Sequence, residues 1–133
     1  MSFAGVNYYA IVVAAIVAWL FGAAYYAALG KAWMKAARLD PESIKMTAGP
    51  FIVSFIAELI MAWMLAGVLG HLGALTLTGG VVAALFVWFG FIATTIAVNE
   101  RYQGYGWDLT FINAGHWLGV AILMGAIIGW WGV

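Results

Sequence analysis

Glu58 is the side chain in this sequence that most needs an explanation. It stands alone in an apolar run, between Phe55-Ile-Ala57 and Leu59-Ile-Met-Ala62. Eight residues past Pro50, it lies about 12 Å along a helix. A bare carboxylate at that depth in a membrane costs about 3 kcal/mol, so it must face other helices or a partner. Two chemistries fit: a proton or cation site, or a hydrogen-bonded acid that ties helices together. His116 comes second. Counted from Leu109, it lies about 10 Å along its own run, and Asn113 one turn earlier shares its face. Thr94 and Thr95 fall at a similar depth on the run that returns in the opposite sense. Tyr25 and Tyr26 lie slightly nearer the same end. The spacing predicts one polar layer made of Glu58, Thr94, Asn113 and His116, with Glu58 meeting His116 directly or through a water. Such a layer could be a structural hydrogen-bond network, a proton relay or ion site, or a haem or chlorin site through His116. Only one histidine is embedded, which excludes bis-His ligation within one chain; His71 falls at a run's outer edge.

Other chemistry is absent. There is no cysteine, hence no disulfide, thiolate nucleophile or Cys-ligated metal. No H-E-x-x-H, P-loop, paired acids or Ser–His–Asp order is found. No catalytic residue, metal centre or further cofactor is predicted, and the connections are too short for a soluble catalytic domain. Enzymatic activity is not expected.

The elements that must position these residues follow from composition. Of the 133 residues 67% are hydrophobic and 8% charged, against about 25% charged in a soluble domain. That leaves too little polar surface to cover a core in water, and the expected solvent is lipid. Net charge is zero, so no nucleic-acid partner is implied. Apolar runs stand out at about 7–29, 50–70, 79–98 and 109–131, each near the ~20 residues a helix needs to cross a membrane. They are continuously apolar rather than alternating, which argues against a β-barrel. In lipid every backbone N–H must be paired within the segment, so each run reads as a helix. Met1–Val6 has no Lys or Arg and the run that follows exceeds a signal h-region, so it reads as a retained span. The chain is expected to form one all-α transmembrane domain over residues 1–133, a four-helix bundle.

Between the first two runs, Lys31, Lys35 and Arg38 recur at i, i+4 and i+7 around Trp33, Met34, Ala36 and Ala37. This predicts a short interfacial helix with snorkelling cations. Asp40-Pro41-Glu42 resembles a helix start. Thr78 is a candidate cap for the third run. Small residues at four-residue spacing mark close-approach faces: Ala14, Ala18 and Gly22 on the first run, Gly115, Gly119, Gly125 and Gly129 on the fourth. Packing within one bundle is their default use. Contacts between copies or with other membrane subunits are the second option.

Nine of the ten charged side chains lie in 31–45 and 100–108. All five basic residues therefore fall at one end of the bundle, which the positive-inside rule places in the cytoplasm, with both termini outside. Tyr8, Tyr9, Trp130 and Trp131 would form the outer aromatic belt. Tyr25, Tyr26, Trp33, Tyr102, Tyr105 and Trp107 would form the inner one.

Two segments carry a family resemblance. Gly22-Ala-Ala-Tyr-Tyr-Ala-Ala-Leu-Gly-Lys-Ala-Trp33 closes the first run, and Phe91-Ile-Ala-Thr-Thr-Ile-Ala-Val-Asn99 with Phe111-Ile-Asn-Ala-Gly115 brackets the last connection. With the order of spans, these resemble a domain-of-unknown-function family of small bacterial four-helix membrane proteins. The resemblance covers essentially the whole chain and implies a bacterial inner-membrane location, but no activity. That family commonly has Trp-Tyr-Ser-Pro at Tyr25–Ala28 and a Tyr at His116, so any role of His116 would be special to this chain. The expectation is a non-enzymatic membrane protein that self-associates or serves a larger complex. The alternative is a small proton-coupled or cation transporter using Glu58.

Overall fold

The computed structural model describes residues 5–131, and among them only helices and turns occur. Helix α1 (Tyr8–Ala36) begins on Asn7, whose side chain accepts from the backbone N–H groups of Tyr9 and Ala10. Helix α2 spans Ala48–Leu72 and stops at Gly73, which adopts the left-handed conformation at φ 66°. The third span, Leu77–Tyr102, has three parts: α3 (Leu77–Val87), a π-helical turn (Trp88–Ala93) and α4 (Thr94–Tyr102). Helix α5 runs over Trp107–Trp131. All four spans are long and apolar enough to cross a membrane, as the four apolar runs predict.

The interfacial helix does not exist as a separate element. Lys31 and Lys35 ride on the last turns of α1, which passes through Gly30 without a break. One glycine inside a helix costs about 1 kcal/mol, whereas stopping there would orphan four carbonyls and four N–H groups. The stop comes at Arg38, which takes the left-handed conformation at φ 58°. Its N–H and that of Leu39 close back onto Lys35 and Met34, the geometry usually left to glycine. The Arg38 side chain reaches the Gly104 carbonyl at 2.9 Å and lies 5.6 Å from the centre of the Tyr105 ring, tying the first connection to the last. Asp40 opens a turn rather than a helix, its carboxylate accepting from the Glu42 N–H. The third span is capped by Thr76, which accepts from the Gly79 N–H at 2.9 Å, and not by Thr78.

Helix α5 is central. It packs against α1 on one side and the third span on the other, and the backbones of those two make no contact with each other. Helix α2 lies mainly on α1 and also touches α5 and α3. The small-residue faces are consumed by these contacts. A Cβ added at Gly119 would overlap the Phe21 ring, and one at Gly115 would stand 2.8 Å from the Tyr25 hydroxyl. Further along α5, a Cβ at Gly125 would overlap the Gly80 carbonyl oxygen, and one at Gly129 the Thr76 carbonyl oxygen. Ala14 and Ala18 are fully buried in the core with Ala62, Ala66, Leu69, Val120, Met124 and Ile128. Small residues here gain backbone-level dispersion contact, the main attraction between helices in lipid. Two side chains also grip α5 by its backbone: the Tyr25 hydroxyl donates to the Ile112 carbonyl at 2.6 Å and Trp88 Nε1 to the Ala114 carbonyl at 2.9 Å.

Helix α2 is displaced along the bundle. Trp19 donates to the Phe51 carbonyl and to Ser54 Oγ, both at 3.1 Å. Only the first turn of α2 precedes Phe51, while α1 continues from Trp19 to Ala36. Helix α1 thus outruns α2 by about 14 residues, or ~20 Å at the α-helical rise. Of the helices, α1, α4 and α5 form the charged end of the bundle, joined there by Arg38 of the first connection.

Candidate functional site

The polar site lies at that three-helix end, and its centre is Glu100. This carboxylate is 7% exposed. Its Oε2 accepts from Thr110 Oγ1 at 2.5 Å and its Oε1 from Asn113 Nδ2 at 2.8 Å. Thr110 in turn accepts from Arg101 Nη2 at 2.6 Å, which also donates to the Gly106 carbonyl at 2.8 Å. Arg101 stands 3.9 Å from Glu100, its guanidinium 4.0 Å from the centre of the Trp107 ring. Asn113 Oδ1 accepts from the Tyr26 hydroxyl at 2.8 Å. One continuous hydrogen-bond chain thus joins α1, α4 and α5. Both carboxylate oxygens are satisfied, while Arg101 Nε and Nη1 are buried without a hydrogen-bond partner.

The π-helical turn is what brings Glu100 to this position. Gly80 and Ala84 of α3 face α5, and so does Glu100. In an unbroken α-helix, the ~16 residues from Ala84 to Glu100 would leave the two about 160° apart. The extra residue carried by the i→i+5 turn turns the chain back by about 100°, to roughly 60° apart. Without that turn Glu100 would face away from Thr110 and Asn113.

His116 sits just beyond the end of the chain, enclosed by aromatic rings. Its ring centre is 4.9 Å from Tyr26, 5.7 Å from Tyr25, 4.6 Å from Trp117 and 6.2 Å from a nearly parallel Phe21. Its Nδ1 is buried without a hydrogen-bond partner, and its Nε2 abuts Gly22 so closely that a Cβ there would stand 2.7 Å away.

The structure therefore brings together Asn113, Tyr25, Tyr26 and His116, and leaves out the other members of the predicted layer. Glu58 is 2% exposed and its Oε1 has no hydrogen-bond partner. It makes no contact of hydrogen-bonding length with His116. Equal depth for Glu58 and His116 requires α2 and α5 to begin level with each other, and they do not. Since Ser54 meets Trp19 while His116 meets Gly22, Glu58 lies farther from the charged end by about 7 residues, or ~10 Å. Thr94 and Thr95 are exposed on the outer face of α4 and bond back to the carbonyls of Gly90 and Phe91 in their own helix. Glu100, Arg101 and Thr110 were missed because they lie beside a connection, where charges are ordinarily solvated. The signal was the hairpin itself. Antiparallel helices joined around Tyr105 place residue 100 opposite residue 110.

Among the described residues, no group of three or more His, Asp or Glu side chains could hold a metal ion. A haem or chlorin at His116 does not fit, because Nδ1 is buried and Nε2 faces the α1 backbone. A family model described as "Protein of unknown function (DUF1761)" matches residues 9–129. Neither a curated protein nor a solved structure matches the chain.

Proposed function

The chain belongs to the DUF1761 family, whose function is not known, and on that footing we propose that it is a non-enzymatic, multi-pass protein of the bacterial inner membrane whose role is exercised by self-association. The observation that carries this reading is the uncovered third span. Within its most apolar 18-residue window only 6% is buried, against 39% for α5. An apolar face in lipid needs no cover, but this one also carries Thr94, Thr95 and Asn99 outward. The small-residue faces of α1 and α5 are already occupied within the chain, so a partner would seat on the third span.

The orientation in this proposal rests on charge. Lys31, Lys35, Arg38, Lys45 and Arg101 all fall in or beside the first and third connections, and this one-sided charge supports a cytoplasmic position for that side. Native mass spectrometry from a mild detergent is expected to give a multiple of 14.3 kDa, and introduced Lys31→Cys should resist impermeant maleimides in intact cells. A strictly monomeric mass would sink self-association, and outside labelling would sink the orientation.

A second reading has its own observation: the buried, unpartnered Oε1 of Glu58. An embedded carboxyl with a free oxygen is the group a proton or cation carrier would use. If so, proteoliposomes should show ion flux that Glu58→Gln abolishes while assembly persists. Flux unaffected by Glu58→Gln removes this reading.

A further inference from the structure

We infer that the π-helical turn Trp88–Ala93 is a register switch: moving its extra residue down and out of α4 takes Glu100 from its site and seats Asn99 opposite Thr110 and Asn113 instead. The two registers exist whether or not the chain self-associates. Helix angles fix which residue replaces which. With the turn in place, Glu100 stands about 60° around the axis from Ala84. In an unbroken α-helix the ~15 residues from Ala84 to Asn99 bring Asn99 to the same angle, about 60°. Every side chain beyond the turn moves by one position, roughly 100° around the axis. Asn99, now exposed, becomes buried, and Glu100 takes the half-buried place that Arg101 holds over the Trp107 ring.

Three features make the turn a joint rather than a fixed kink. Its upstream side is anchored and its downstream side is held by one residue. Trp88 Nε1 grips the Ala114 carbonyl and Gly80 lies against the α5 backbone, but from Trp88 to Tyr102 only Glu100 is buried. The register of α4 therefore hangs on one carboxylate and its bonds to Thr110 and Asn113. Next, the backbone can exchange partners without orphaning a carbonyl in lipid. The hydroxyls of Thr94 and Thr95 donate to the carbonyls of Gly90 and Phe91 inside the turn, which is how such side chains support departures from α geometry in membranes. A Cβ at Gly90 would meet nothing within 4 Å, so no packing locks the turn there, and Gly104 at φ 81° gives slack at the far end. Finally, the incoming residue suits the site, because the Asn99 amide supplies an acceptor oxygen to Thr110 or Asn113 without a charge. The π register is the resting one. Glu100 offers two acceptor oxygens against one, and in the other register the half-buried Ala93 and Ala97 give way to the bulkier Ile92 and Ile96. Loss of the Glu100 acceptors tips the balance, and the α register then turns Thr95 and Asn99 away from the outer face and Ala93 and Ala97 onto it.

The chain has no native cysteine, so a nitroxide label on Thr95→Cys or on Ala97→Cys reports each register without background. With Glu100 present, oxygen dissolved in the bilayer should relax the label at 95, now exposed, more than the label at 97, now half-buried. Glu100→Ala is expected to reverse that order while the helical circular dichroism is unchanged. Deleting Gly90 from the Glu100→Ala chain removes the spare residue, so residue 100 faces α5 through an unbroken helix and the original order should return. A helix merely loosened by the substitution would not be restored this way. Where Glu100→Ala does not fold, Glu100→Gln, which keeps one acceptor oxygen, should narrow the difference between the two labels. The switch is overturned if the label at 95 stays the more accessible in folded Glu100→Ala, or if Glu100→Gln, used in its place, leaves the difference at its native size. A reversal that the Gly90 deletion fails to undo overturns it as well.

Discussion

Gly80→Val should separate α3 from α5 and abolish the folded bundle at temperatures where the native chain is intact. A side chain at residue 80 would overlap the Gly125 carbonyl oxygen and stand 3.0 Å from the Gly129 Cα. The obstacle is backbone, which cannot rotate away as a side chain can. Overpacking a tight core costs about 1–3 kcal/mol when side chains can shift, and here the only relief is to move whole helices apart. Losses at or above that range are expected, read as a fall in the unfolding midpoint in detergent or as aggregation on extraction. Gly30→Ala is the matched control. A Cβ there meets nothing within 4 Å, and alanine in a helix gains about 1 kcal/mol over glycine. Gly30→Ala should therefore be neutral or mildly stabilising. If Gly80→Val melts with the native chain, the close α3–α5 crossing is wrong.

Replacing Glu100 with alanine is expected to be the most damaging change at the polar site. It strips the acceptor from Thr110 and Asn113 and removes the counter-charge 3.9 Å from Arg101. Buried donors left without partners cost about 1–3 kcal/mol, and Arg101, already holding two unpartnered nitrogens, would lose its carboxylate neighbour. Glu100→Gln keeps one acceptor oxygen and should recover part of the loss. Glu58→Gln disturbs no hydrogen bond of Oε1 and is expected to lower the midpoint less than Glu100→Ala. Denaturation midpoints of the three variants in one detergent decide the order. Should Glu58→Gln prove the more destabilising, the ranking of the two buried acids is reversed.

That ranking marks where reading residues along the chain succeeds and where it stops. Length and hydropathy are local properties, so four spans could be read directly. The glycine and alanine faces were equally plain, because four-residue spacing defines a helix face without knowledge of the partner. Glu58 stood out for the same reason: its neighbours in sequence are all apolar. Glu100 did not, since its neighbours are Asn99 and Arg101 and its burial depends on α5 folding back across it. The displaced start of α2 was hidden too. Depth counted from each helix's own beginning holds only if the helices begin level, and the Trp19 contacts with Phe51 and Ser54 show that they do not. The π-helical turn has no local signal in Trp88–Ala93 beyond Gly90, yet it decides which way Glu100 faces.

The central place of α5 has a consequence in time. Helix α1 and the third span are joined chiefly through it, α2 making only a lesser contact with α3, and it is the last of these helices to leave the ribosome, where synthesis proceeds N-terminal first at about 5–20 residues per second. Until it is inserted, Gly80 has no opposite backbone, Gly22 no imidazole against it, and Glu100 neither of its donors. The first three spans therefore wait in the bilayer as an open, unsealed set, and the final helix closes it by laying one small-residue face on α1 and the other on α3.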